Sequence, residues 1–367
     1  MRIDPGRIFA INLHIDGPLF GGLVVLSLIG MLVLYSAGGE RTELLGGQGA
    51  RLAIGFLAMF AAAQVAPVYY RILTPWFYFL CLFLLLLVLV VGATGGGAQR
   101  WLRIPGLVRF QPAELLKVAV PMMVAYYLAD RPLPPSFGRI AVAIAAVAVP
   151  TGLIALQPDL GTAVLVASSG AFVLFLAGIS WRLIALVGTA LVAAAPVMWH
   201  FMHDYQRQRV LTFLDPSKDP LNSGYHIIQS KIAIGSGGLY GKGWLNGTQS
   251  QLDFLPERST DFIFAVLSEE FGLLGVAALL AAYAFVILRG LHLALTAQET
   301  FGRLLGGGIV LTFFVYVFVN IGMVSGLLPV VGLPLPLVSF GGTSMVSILV
   351  AFGLLMSMNT HRRLLSE

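Results

Sequence analysis

Three carboxylates and an arginine stand together in QLDFLPERSTDFIF, residues 251 to 264: Asp253, Glu257, Arg258 and Asp261. Carboxylates of this kind serve as proton acceptors, metal ligands or partners of buried cations. A spacing of four would align all three acids on one helical face, but Pro256 interrupts the run. It disfavours helix at Leu255 and would cost about 3 kcal/mol inside one. The acids therefore read as separate groups. Pro256 suits the first position of a helical turn, and STDFIFAVLSEEFG reads as the start of an apolar span capped by Ser259 or Thr260. Asp261 then falls in the first helical turn, where the helix dipole contributes about 0.3 to 1 kcal/mol and keeps it ionised at neutral pH. Two roles stay open for it: a carboxylate in a dipole-favoured place, or a rigidly held base that takes a proton from a bound hydroxyl.

Other charged groups sit in equally apolar surroundings. In GGGAQRWLRIPGLVRFQPAELLKVAV, residues 95 to 120, Glu114 and Lys117 are three apart on one helical face, in the favourable acid-before-base order. They form an internal ion pair or face a cavity, since ionisable groups within a span avoid lipid. Arg100 and Trp101 just before them are interfacial anchors or substrate contacts. Asp159 in QPDLGTA has the placing of a helix N-cap and could also meet Lys117 or substrate. Between 203 and 261 lie Arg207, Arg209, Lys231 and Lys242 among many glycines. GSGGLYGKG lacks the GK[ST] ending of a nucleotide-binding loop. It reads either as a flexible solvated loop or, with its cations and backbone N–H groups, as a cradle for a lipid-linked pyrophosphate. Glu269 and Glu270 point about 100° apart, so at least one should pair inside the bundle. GLLPVVGLPLPLVSFGG, residues 326 to 342, must be irregular, and irregular backbone at membrane depth needs protein or a cavity around it.

The elements that must position these groups are membrane spans. Of 367 residues 58% are hydrophobic and 11% charged, with a mean hydropathy of +0.89, against about 25% charged in soluble domains. Ten apolar runs can be counted, at roughly 18–37, 51–66, 75–94, 111–129, 139–156, 159–179, 183–202, 262–288, 304–325 and 337–357. At about 1.5 Å per residue each approaches the thickness of the hydrocarbon core. The expected fold is an all-α polytopic membrane protein, one domain over residues 1–367, with a long loop at 203–261. With a cytoplasmic N-terminus the inner side carries ten arginines (2, 7, 71, 131, 139, 182, 289, 303, 362 and 363) against five outside (41, 51, 100, 103 and 109). Both termini are therefore expected inside and the long loop outside. The N-terminal stretch reads as a retained first span, since no small-residue cleavage site follows its charges. Cys81 has no partner cysteine, which excludes a disulfide framework and a thiolate metal site. The +5 net charge is spread over short loops, so no nucleic-acid partner is expected.

GAQRWL, RFQPAELLK, QPDLGTA, GYHIIQSKIAIGSGG, LPERSTDFIFAVLSEEFG and GLLPVVGLPLPLVSFGG resemble the signature segments of the SEDS family (shape, elongation, division and sporulation proteins), along nearly the whole chain. DYQRQRV and VYVFVNIGMVSG favour its elongation branch over its division branch. The resemblance implies ten transmembrane helices in the cell inner membrane and glycan-strand polymerase activity on lipid II with the active site facing the periplasm. It also implies a class B penicillin-binding protein as transpeptidase partner, beside other membrane proteins of the elongation complex. The family's essential carboxylate matches Asp261, its tryptophan Trp101, and its membrane acid–base pair Glu114 and Lys117. One departure is Asp253, where the family pattern has glutamate.

The implied chemistry is attack of a sugar hydroxyl on an anomeric carbon with a lipid diphosphate leaving. Diphosphate departs without a proton, so one base and a cationic clamp suffice, unlike the two carboxylates of a glycosidase. Asp261 is the candidate base. Arg207, Arg209, Lys231, Lys117 or a divalent cation, Mg²⁺ or Mn²⁺, would hold the diphosphate, with Glu257 as a supporting group or metal ligand. No organic cofactor is expected. Two alternatives compete: a lipid II flippase with Glu114, Lys117, Asp159 and Glu269 as its pathway, and a non-catalytic scaffold for cell-wall enzymes.

Overall fold

The computed structural model describes residues 13–95, 98–102, 110–202, 204–219, 223–252, 254–255 and 257–361. Arg2, Arg7, Arg103, Arg109, Asp253, Pro256, Arg362 and Arg363 lie outside the described residues. The chain is helical almost throughout: α1 (Gly17–Ala37), α2 (Thr42–Gln64), α3 (Pro67–Val91), α4 (Pro112–Ala129), α5 (Phe137–Leu156), α6 (Leu160–Leu176), α7 (Trp181–Phe201), α8 (Asp204–Leu214), α9 (Ser223–Ser236), α10 (Thr248–Gln251), α11 (Ile263–Thr296), α12 (Thr300–Val324) and α13 (Thr343–Thr360). A small antiparallel hairpin, β1 (Ala93–Gly95) and β2 (Ala98–Trp101), follows α3. Prolines start α3 and α4, where a missing N–H costs no helical bond.

Among the described residues eight helices are long and apolar enough to cross a membrane, while α6 and residues 181–194 of α7 are apolar but shorter. The break expected at Pro158 and Gly161 falls between α5 and α6. Other boundaries differ from the apolar runs. The second helix begins at Thr42, so Arg51 lies inside α2 and not in a loop. The third begins at Pro67 and runs through Pro75, because packing holds a helix that composition alone would start later. The long 203–261 stretch between α7 and α11 is largely helical: α8, α9 and α10 occupy much of it.

α12 lies at the centre, packed against α4, α6, α11 and α13. His14 and His361 stack at 3.6 Å, which brings both ends of the described chain to one end of the bundle. At that end Arg289 of α11 also binds Asp16, the N-cap of α1, at 2.6 Å. The start of α11, the end of α12 and the start of α13 meet at the opposite end.

α11 is broken at Gly272 (φ 61°, ψ −158°), a conformation open essentially to glycine alone. The break frees two donors and two acceptors, and the glycine-rich segment takes all four. Lys242 N and Gly243 N donate to the carbonyls of Glu269 and Glu270, each at 3.0 Å, while Leu273 N and Leu274 N donate to Gly238 O and Leu239 O at 3.0 and 3.2 Å. The segment approaches so closely that a Cβ on Gly241 would stand 2.1 Å from Glu270 O. Its glycines therefore serve backbone contact, and it is neither a flexible loop nor a phosphate cradle. Gly272→Ala and Gly241→Ala should each cost about 1–3 kcal/mol, seen as a lower melting temperature in detergent. Gly188→Ala, where an added Cβ meets nothing within 4 Å, should leave it unchanged or higher.

Candidate functional site

Asp261 sits in a turn, residues 257 to 262, immediately before α11, whose N-cap is Phe262. It lies just outside the first helical turn, and neither Ser259 nor Thr260 caps the helix. Thr260 instead bonds the Glu257 carboxylate at 2.6 Å. The turn is held by protein groups brought from far along the chain. Ser339 Oγ donates to Thr260 O at 2.5 Å, Phe340 N to Ser259 O at 2.8 Å, and Asn320 Nδ2 to Asp261 O at 3.0 Å. Gln48 of α2 in turn binds Ser339 O at 3.0 Å, and Arg51 stacks on Phe340 at 4.4 Å.

The Asp261 carboxylate is half-buried. A Cβ on Gly332 (φ 75°) would lie 3.5 Å from its Oδ2, so a bare backbone position faces it. Burial pushes its pKa up, Glu257 adds to the rise and Arg209 opposes it, with a result of about 6. This corrects the expectation from the helix dipole. Desolvation outweighs a dipole whose first turn Asp261 does not occupy.

A second polar cluster lies behind the 331–333 segment. Asp159 caps α6 by accepting from Thr162 N at 3.2 Å, and its other oxygen takes Gln111 Nε2 at 2.7 Å. Arg100 approaches it at 3.9 Å and binds the carbonyls of Gln157 and Pro158. The cap reading of Asp159 holds, but its neighbouring cation is Arg100, not Lys117. Trp101 is half-buried in β2 beside Arg100. Lys117 Nζ donates to Glu114 Oε1 and to Tyr316 Oη, each at 2.7 Å, with both ends of the pair buried. A Cβ on Gly161 would meet Leu333 and Val331 O at 3.0 Å, so the start of α6 abuts the segment whose Gly332 faces Asp261.

The loop cations divide. Arg209 lies close enough to Asp261 to act on its titration. Arg207 donates to Trp199 O and His200 O at 3.0 and 2.6 Å and so closes the end of α7. Lys231 of α9 reaches over Gly326 at the end of α12, its Nζ 2.7 Å from where a Cβ would be. Lys242 is taken by buried Glu269 at 2.6 Å, which is the pairing expected of one of the two adjacent glutamates. Tyr316, Asn320, Ser339 and His226 were not marked by the sequence. His226 stacks on Phe262 at 5.6 Å, and burial lowers its pKa against the pull of Glu257 and Asp219.

Residues 17–364 match the FtsW/RodA/SpoVE family of cell cycle proteins. The chain belongs to this family. Among its FtsW/RodA/SpoVE relatives, the peptidoglycan glycosyltransferase MrdB of Escherichia coli K12 is 53% identical over 362 residues, 98% of each chain. MrdB of Helicobacter pylori 26695 is 38% identical over 95% of this chain and 91% of its own. A probable peptidoglycan glycosyltransferase FtsW of Geobacter metallireducens is 37% identical over 93% of each. The crystal structure of the rod shape determining protein RodA of Thermus thermophilus superposes with a TM-score of 0.71 at 30% identity, covering 95% of this chain and 98% of that one. A chain from a peptidoglycan synthase complex in which polymerization and crosslinking are coordinated gives 0.82 at 33% identity, over 95% and 99%.

Lys117→Met leaves the Glu114 carboxylate buried without its cation and should cost about 3–5 kcal/mol; adding Glu114→Leu should recover most of that. Thermal unfolding of the single and double variants in detergent measures both.

Proposed function

We propose that the chain is a peptidoglycan glycosyltransferase that polymerises lipid II into glycan strands during cell elongation. The observation that carries this is Asp261. It is a half-buried carboxylate at the start of α11 with its pKa raised to about 6, beside Arg209 and against the bare backbone of Gly332. Such a group is basic enough to take a proton and ionised at neutral pH, which is what a general base requires. The acceptor hydroxyl gives its proton to Asp261 as its oxygen bonds the anomeric carbon. The bond from that carbon to the diphosphate oxygen breaks with inversion, and the lipid diphosphate departs carrying the electron pair.

Arg209 and Lys231 are the cations we assign to draw in and hold the diphosphate, with Arg207, Arg100 and Lys117, each already bonded to protein groups, and Asp159, Trp101 and Glu257 shaping the site around it. Among the described residues no three His, Cys, Asp or Glu side chains cluster. Glu257, exposed in the turn before α11, is the group that would hold a Mg²⁺ or Mn²⁺ ion there. Such an ion would neutralise charge on the leaving group. An apolar groove of about 450 Å³ between α3, α4 and α13, bordered by Val118 next to Lys117, has the chemistry a prenyl chain needs.

In this reading α6 and α7 also cross the membrane, giving ten crossings with both termini cytoplasmic, and Asp261 faces the periplasm. The partner is a class B penicillin-binding protein of the elongation complex. The sequence count of ten arginines against five outside the 203–261 stretch supports that orientation.

Asp261→Asn should lose about 10²- to 10⁴-fold in glycan polymer from labelled lipid II, with the partner present. Equal polymer from both proteins would sink the assignment. The variant should be no less stable. Because the folded pKa lies above the ordinary 3.8, the folded protein holds the proton more tightly, so stability falls as pH rises from about 4 to 6 and stays lower above that. Removing the charge at pH 7.5 relieves that cost, which a melting curve reports.

A further inference from the structure

Asn320 closes the polar face of α12. Its side chain is fully buried, and its amide nitrogen donates twice, to Asp261 O at 3.0 Å and to Leu333 O at 2.6 Å. One nitrogen thus ties the turn that carries the carboxylate to the segment whose Gly332 stands against that carboxylate. The amide has only one workable orientation. Turned over, its oxygen would face two carbonyl oxygens with no hydrogen between them. Asn320 Oδ1 is buried and meets no protein donor among the described residues, so both bonds of this side chain are the ones its nitrogen makes. Tyr316 lies one turn earlier on the same helical face and takes the hydrogen bond of Lys117. The centre of the bundle therefore reaches the Asp261 turn through Asn320.

We propose that Asn320 is a positioning residue for the transfer reaction: by holding the carbonyls of Asp261 and Leu333 on one amide, it fixes where the Asp261 carboxylate points relative to the backbone at Gly332. This rests on the reading of Asp261 as the base. Misplacing a reacting group by about 1 Å costs on the order of 10²-fold in rate. A merely structural asparagine would show its loss in stability instead.

The test uses the full chain with its partner, as wild type, Asn320→Ala and Asn320→Ser, whose hydroxyl is too short to span both carbonyls. Hydrogen exchange should rise at 257–263 and 331–335 and not elsewhere. kcat on labelled lipid II should fall about 10²-fold with KM little changed. Unchanged exchange at both segments overturns the tie. Raised exchange with wild-type kcat overturns the positioning role, as does global unfolding of both variants. A wild type that makes no polymer sinks the polymerase reading alone, while the exchange measurement still decides whether Asn320 holds the turn.

Discussion

Hydrocarbon offers no hydrogen bonds, so irregular backbone inside this bundle persists only where protein groups replace water. Two such places shape the site, the break in α11 at Gly272 and the segment from 326 to 342, and the fold around it is organised by what satisfies them. At the break the 237–243 segment takes both freed carbonyls and supplies acceptors for both freed amides. At the other, Gln48, Asn320 and Ser339 bond the backbone of the segment and of the 257–262 turn together. The first half of α11 is thus held at both ends, and Asp261 stands just before its start.

The same dryness sorts the charges. Glu114 with Lys117, and Glu269 with Lys242, are buried and closely paired, as a charge at that depth must be. Asp261 is not paired in this way. It has Arg209 near it but Glu257 also, and the bare backbone of Gly332 against it, so burial prevails and its proton is held more tightly than usual. A carboxylate placed between full pairing and full solvation is where acid–base chemistry near neutral pH is expected.

Much of this was legible in order along the chain, and little of it across the chain. Long apolar runs announced the spans, Pro158 and Gly161 the break between α5 and α6, and Asp159 before an apolar run its N-cap. The Glu114–Lys117 spacing gave their pairing, whereas the expected separation of Asp261 from Glu257 did not hold, since Glu257 lies in the same turn and acts on its titration. Composition failed where packing decides. The stretch 42–50 is too polar to read as a span yet extends α2, and the glycines at 237–243 look like a loop when only their partner, α11, explains them. Asn320 and Ser339 act on residues 59 and 79 positions away. A single Asn or Ser in an apolar helix or turn carries no periodicity that would point to such a contact. That Asp261 is ionised at neutral pH was legible, but the burial that raises its pKa was not, since Gly332, which stands against it, comes from far along the chain.

The central claim is that Asp261 accepts the proton of the attacking hydroxyl, and single-turnover polymerisation of lipid II as a function of pH tests it most directly. The account predicts that the rate climbs through an apparent pKa of about 6 to a plateau, and that this limb is absent from whatever residual rate Asp261→Asn retains. A wild-type rate that is flat down to about pH 4.5, or an Asn variant that keeps the same limb, would contradict it.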